Sequence, residues 1–168
     1  NINFHLDAGA VLQFSADAAQ YPLVRTNWEG VDAIRAQSPI TAIGERNIAI
    51  TGSGIIDGNG EAWRPVKKGK LTPGEWDKLV RSGGVLDEKK DTWYPTDRAL
   101  KGSKLDQPGV IAAGFTEAKA EEIKEFLRPN MISLRECEQI LLEGVTFQNS
   151  PAWNIHPLLS KHLTVDNI

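Results

Sequence analysis

Trp153, Asn154 and His156 stand close together in the segment Ser150-Pro151-Ala152-Trp153-Asn154-Ile155-His156-Pro157. An indole, an amide and an imidazole grouped in this way are suited to holding a sugar. The indole offers an apolar face to a pyranose ring, and the other two offer hydrogen bonds to hydroxyl or carboxylate oxygens. Trp153 has a second reading, in which it caps an apolar core. His156, beside Pro157 in what reads as a turn between strands, is a titratable side chain that packing alone explains poorly. Trp93, with Tyr94, lies in Asp91-Thr92-Trp93-Tyr94-Pro95, and is either a second sugar platform or an anchor for a long loop. Arg64 heads a basic cluster with Lys67, Lys68 and Lys70, which either steers an anionic polymer or is simply a solvated loop.

The elements around these residues follow from periodicity. Ile140 and Leu142 alternate with Leu141 and Glu143, which puts the first two on one face of a strand. Leu163 and Val165 repeat that spacing 23 residues later, and Asn47-Ile48-Ala49-Ile50-Thr51-Gly52 has the same form. Phe4-His5-Leu6-Asp7-Ala8-Gly9 is a looser copy. Each run ends near Gly or Asn, residue types that reach positive φ at low cost and so permit a corner. Short strands recurring with corners at this period predict a parallel β-helix, in which each coil buries the apolar side of its neighbours. A β-sandwich is the alternative.

Residues 61–128 break the strand period. Thr72-Pro73-Gly74-Glu75 predicts a helix start with a capping box, and Gly83-Gly84 its end. A second helix is expected from about Thr116 to Phe126-Leu127, before Pro129. The reading is therefore an all-β chain, residues 1–168 forming part of one β-helix domain, with 61–128 as a helical insertion between coils. Insertions of this kind often fold over the binding face.

The 168 residues carry a formal charge of −3 and no basic face, which argues against a nucleic-acid partner. No apolar run approaches the roughly 20 residues of a membrane span. Cys137 is alone and lies between Glu136 and Glu138, where a structural thiol is expected rather than a reactive thiolate. His5 and His162 lack acidic or Cys partners at ligand spacing, so neither a metal nor another cofactor is expected. Composition leaves the oligomeric state open.

Three segments carry a family resemblance. Ile50-Thr51-Gly52-Ser53-Gly54-Ile55-Ile56-Asp57-Gly58-Asn59-Gly60 with Trp63 resembles a segment of the polygalacturonase-type glycoside hydrolases, family 28. Arg128-Pro129, Val145-Thr146-Phe147-Gln148-Asn149-Ser150-Pro151, Trp153 and His156-Pro157 resemble a later stretch of the same enzymes. Tyr21-Pro22 and Arg25-Thr26-Asn27-Trp28-Glu29-Gly30 are similar to an early coil of bacterial members, with Asn27 where an Arg is common. The resemblance implies a right-handed parallel β-helix and inverting hydrolysis of galacturonosidic bonds in pectin. It also implies a pectic polysaccharide or oligogalacturonide as partner, and a secreted or periplasmic location.

The family carries its acid and base in motifs of the form NxD, DD, GHG and RxK, and none of these occurs here. The expectation is an incomplete β-helix, with the catalytic carboxylates beyond Ile168 and none of this chain's own residues catalytic. Asp57, Glu136, Glu138 and Glu143 read as turn chemistry or solvated faces. The substrate-binding candidates are His156, Trp153, Asn154, Trp93 and Arg64. The alternative is a non-catalytic β-helix, either a carbohydrate-binding or an adhesin-type module.

Overall fold

The computed structural model describes all residues from Asn1 to Ile168, and they form two compact units. One unit comprises residues 1–16, 38–61 and 129–168; the other comprises 17–37 and 62–128.

The first unit is built from three parallel sheets. One contains, in order, Ile2–Leu6, Arg46–Gly52, Glu138–Glu143 and Lys161–Asp166. A second contains Ile40–Ile43, Ile132–Arg135 and Ile155–Leu158, and the third Val11–Gln13, Ile55–Asp57 and Thr146–Gln148. Successive passes of the chain visit the sheets in the same order, so each pass is one coil of a solenoid of parallel strands. The β-sandwich alternative, which needs antiparallel sheets, does not apply to this unit.

Register is kept from coil to coil. Ile48 pairs with Ile2 and Ile140, and Ile140 with Leu163, while Ile50 pairs with Phe4 and Leu142, and Leu142 with Val165. Strand alternation turns all of these toward one face, and Ile50, Ile140 and Leu142 are buried there with Ile56, Met131, Ile132, Leu134 and Val145. Cys137 belongs to the same core, its Sγ 3.3 Å from the Arg135 carbonyl oxygen, in keeping with a structural thiol.

The corners are tight enough to demand glycine. A Cβ on Gly52 (φ +113°) would lie 2.0 Å from the Leu6 carbonyl oxygen, and one on Gly144 would lie 2.2 Å from the Gly52 carbonyl oxygen. Asp57 ties two coils together. Its Oδ1 accepts the Asn59 backbone N–H at 2.7 Å, and its Oδ2 accepts the side-chain amides of Gln148 and Asn149 at 2.8 and 2.9 Å.

The second unit is mixed. Leu23–Trp28 pairs antiparallel with Val31–Ala36, turning through Glu29 and Gly30 at positive φ. Asn27 has a local task there, its Oδ1 accepting the Gly30 N–H at 3.1 Å. The predicted first helix is present at Pro73–Arg81, with Thr72 and Glu75 closing the capping box and Trp76 buried. A helix at Asp97–Ser103, capped by Thr96, is a further element that the sequence reading did not anticipate.

The second predicted helix is shorter than expected. It runs only Glu117–Glu121 from its Thr116 cap, then gives way to a 3₁₀ turn at Lys124–Phe126. The chain leaves helical geometry at Ile123 (φ −132°, ψ 24°), and tightens after it. Ala120, Ile123 and Leu127 still bury themselves with Ile34. No helix is long and apolar enough to cross a membrane.

Two stability outcomes follow. Asp57→Ala leaves two side-chain amides and one backbone N–H without their acceptor, and is expected to cost about 3 kcal/mol in urea unfolding. Thr72→Ala is expected to cost about 1 kcal/mol at neutral pH. The Glu75 carboxyl titrates below its ordinary value because the Thr72 hydroxyl and backbone N–H bond to it. Its stabilisation is therefore present above the ordinary carboxylate range and lost as pH falls through the lowered value. The Thr72→Ala deficit should accordingly shrink in acid unfolding titrations.

Candidate functional site

Trp153 is 56% exposed, so it does not cap the core. Its backbone is nonetheless firmly held. The Trp153 N–H donates to Asn130 Oδ1 at 3.3 Å, and its carbonyl accepts the Ser150 hydroxyl at 2.9 Å and the Met131 N–H at 3.0 Å. Asn130 and Ser150 are themselves buried, so the clamp is built into the coil. The result is a large apolar ring displayed to solvent from a fixed point, which is what stacking on a sugar requires.

Asn154, also exposed, follows directly, and its carbonyl accepts the Ile132 N–H at 3.0 Å. His156 is not in a turn, as the sequence suggested, but on the strand Ile155–Leu158. In-register pairing with Ile132–Arg135 extends the strand through Pro157, which the outermost strand of a sheet tolerates. The same register aligns His156 with Ser133 and Thr41. Ile132 and Leu134 face the core, so this column of three polar side chains faces outward. Trp153, Asn154 and His156 thus share one strand and its entry on the first unit.

Trp93 and Arg64 lie in the second unit. Trp93 is on the strand Thr92–Tyr94, paired with Val66 and Leu86, and only 8% exposed. Its indole N–H donates to the Gly83 carbonyl at 2.7 Å, and a Cβ on Gly84 would meet the ring at 2.5 Å. This indole is committed to anchoring the loop and has no face left for a sugar. Arg64 is partly exposed, and Lys67, Lys68 and Lys70 are exposed.

A feature not singled out in the sequence lies on the hairpin. Arg35 is 5% exposed, with its guanidinium carbon 3.5 Å from the Trp28 ring centroid. Burial, and then the positive charge of Arg128, push it down to about 9, against a smaller opposing effect of Glu29. The signal for it was present: a single charge within the buried run Ala33-Ile34-Arg35-Ala36.

Among the carboxylates, Asp57 lies buried in the coil. Asp57 is saturated by hydrogen bonds. Glu143 and Asp166 are register partners but both are exposed, with no wall around them.

The fold of the first unit is that of a solenoid of parallel strands, and it brings an indole, an amide and an imidazole together on one strand and its entry. Comparison with known proteins points to one group. No family model matches the chain. It is 26% identical over its whole length to the exo-poly-α-D-galacturonosidase of Dickeya chrysanthemi, covering 27% of that protein. Among solved structures, the hyperthermoactive exopolygalacturonase of Thermotoga maritima matches 96% of this chain and 33% of its own, with 25% identity and a TM-score of 0.55. The family 28 exopolygalacturonase of Yersinia enterocolitica matches 98% of this chain and 29% of its own, with a TM-score of 0.55 and, at 23% identity, a likeness of fold alone. The chain thus spans about a third or less of the length of these relatives. They are the group of enzymes that the sequence motifs resemble.

Proposed function

We propose that this chain is the N-terminal portion of a pectin-degrading glycoside hydrolase of the polygalacturonase type. In this reading the solenoid is a right-handed parallel β-helix carrying residues 61–128 as an insertion. The complete enzyme hydrolyses galacturonosidic bonds with inversion, and works outside the cell or in the periplasm. Trp153 provides the stacking face, while Asn154 and His156 supply hydrogen bonds to the sugar. Arg64 assists from the insertion by attracting the polyanion. The acid and base come from sequence outside these 168 residues.

The observation that carries the reading is the exposed Trp153 on its clamped backbone, set within the motif that first suggested the family. The relatives support it, because they match this chain from end to end. The carboxylates support the last step. Inverting hydrolysis needs two carboxyl groups about 6.5–9.5 Å apart, one protonated and one activating water. Asp57 is not free for either part while three donors hold its carboxylate oxygens in place.

Two measurements test this. Trigalacturonate should quench tryptophan fluorescence of the chain, and Trp153→Ala should weaken its binding about tenfold, or ~1.4 kcal/mol. Unchanged affinity in that variant would remove the stacking role. The chain itself should release no reducing sugar from polygalacturonate; clear turnover would mean that an acid and a base are present after all.

A further inference from the structure

The helix Asp97–Ser103 in the second unit is fastened more by charge than by an apolar face. Its buried residues are Ala99 and Gly102, with Leu100 half-buried. The contact at Gly102 is close, since a Cβ there would lie 2.3 Å from the Phe126 Cβ. The helix Pro73–Arg81 of the same unit buries the indole of Trp76 instead. Seven residues are too few for a helix to persist in water unaided, so Asp97–Ser103 draws its stability from docking. It docks on the 3₁₀ turn Lys124–Phe126 and on the strands Val85–Leu86 and Thr92–Tyr94. The segment is tied on both sides: Trp93 donates to the Gly83 carbonyl before it, and the Gly109 carbonyl accepts the Ile34 N–H at 2.8 Å after it.

Arg98, Lys101 and Lys104 follow one another at a spacing of three, and each is ion-paired outside the helix. Arg98 reaches Glu125 Oε1 at 3.2 Å and Glu121 Oε2 at 3.6 Å, and also donates to the Glu121 carbonyl. Lys101 pairs with Glu122, and Lys104 with Glu88 Oε1 at 2.7 Å. The Glu125 side chain is largely buried and its Oε2 finds no donor, so its hydrogen bonding rests on Arg98. The other charged groups nearby are Asp97 in the first turn, Lys119 beside Glu122, and Lys124 in the docking turn. Asp87, Lys89, Asp91 and Tyr94 face the helix from the other side, where they line a cavity of about 380 Å³ with Leu100 and Ser103. Hydrogen bonds and charge from Lys101 and Lys104 hold the Glu122 and Glu88 carboxyls below their ordinary values, and Glu88 holds Lys104 above its own. The carboxylate contribution is therefore present above the ordinary carboxylate range and lost as pH falls through the lowered values. That of Lys104 is present below the ordinary lysine range and lost as pH rises through the raised value.

We propose that Asp97–Ser103 is a charge-latched strap, docked near neutral pH in dilute salt and released in acid or concentrated salt, and that its release opens the cavity beside Tyr94. One exposed ion pair contributes little and is screened by salt. Here the pairs act together on a helix whose apolar anchor is small, so their sum decides whether it stays docked. Release is local, because the segment stays tied at Trp93 and Gly109 while the helix between them swings free. The strap is independent of the sugar-binding role assigned to Trp153.

The test is hydrogen exchange read by mass spectrometry on the 168-residue chain at neutral pH, as sodium chloride is raised from about 0.05 M to about 1 M. Protection of the Asp97–Ser103 amides should fall about tenfold, while that of Pro73–Arg81 holds. A similar loss in Asp97–Ser103 is expected on acidification, after correction for the intrinsic exchange rate. Lys101→Glu should lower protection about threefold in dilute salt, and adding Glu122→Lys should restore it. Both positions are exposed, and the salt series needs no variant at all. Opening of the cavity is read by site-resolved nitration with tetranitromethane. Tyr94 should react faster in concentrated salt, while the buried Tyr21 does not. Salt-independent protection of Asp97–Ser103 would overturn the latch, as would a reversed pair that fails to restore it. Parallel loss of protection in Pro73–Arg81 would mean unfolding of the whole unit and would overturn it too. Unchanged Tyr94 reactivity would overturn the opening of the cavity.

Discussion

The first unit depends on coils stacking in strict register at backbone distance. A parallel strand pair fixes this spacing, and the corners convert it into a sequence requirement. Gly52 sits against the Leu6 carbonyl and Gly144 against the Gly52 carbonyl, so any side chain at either position would drive neighbouring coils apart. Gly58 and Gly60 meet the backbone of Asn149 and Ser150 in the same way. The Gly-rich run around Asp57 is therefore a record of how closely one coil lies on the next. Asp57 supplies the polar counterpart, accepting from its own turn and from the coil beyond. With register fixed at the corners, Ile48, Ile140 and Leu163 fall into one column without slippage, and the apolar side of each coil covers the next.

This explains why the solenoid was legible and the second unit largely was not. Period-two alternation and corner glycines are local signals, and they repeat, so Ile140 and Leu142 could be assigned to the core from sequence alone. The capping box at Thr72 is equally local, and its helix was found. The helix at Asp97–Ser103 carried only a lone Thr96 cap and a short apolar pattern, too little to stand out. The break after Glu121 falls at Ile123, whose backbone leaves the helical region within a stretch that still reads as amphipathic. Nothing local indicated that residues 17–37 group with 62–128, because that grouping rests on contacts distant in sequence such as the edge-on pair Tyr21–Trp63, with ring centroids 5.1 Å apart.

The candidate site divides along the same line. Residue type identified Trp153, Asn154 and His156, but type alone could not say whether the indole faced in or out. Asn130, Ser150 and Met131 fix the Trp153 backbone, and its ring projects outward from that held point. The opposite holds for Trp93, whose N–H is claimed by Gly83 and whose ring fills the space that a side chain at Gly84 would need. Arg35 was missed because a charge inside a strand reads as solvated until register shows both neighbours, Ile34 and Ala36, to be buried.

The polar groups on this chain fall into two kinds, and the difference bears on what it can do. Asp57, Asn130 and Ser150 are satisfied, and satisfied groups hold geometry. Trp153 is unsatisfied in apolar contact, and the buried Nε of Arg35 finds no acceptor. Unsatisfied groups on a rigid support are what a ligand completes, since binding then recovers energy that folding left unrealised. A hydrolytic acid and base would have to belong to the unsatisfied kind as well: carboxyls in a walled site, free to exchange a proton. The one buried carboxylate, Asp57, is of the satisfied kind, and Glu143 and Asp166 stand in open solvent. Asp57 is therefore committed to holding two coils together, while Trp153 keeps its ring exposed on a fixed backbone.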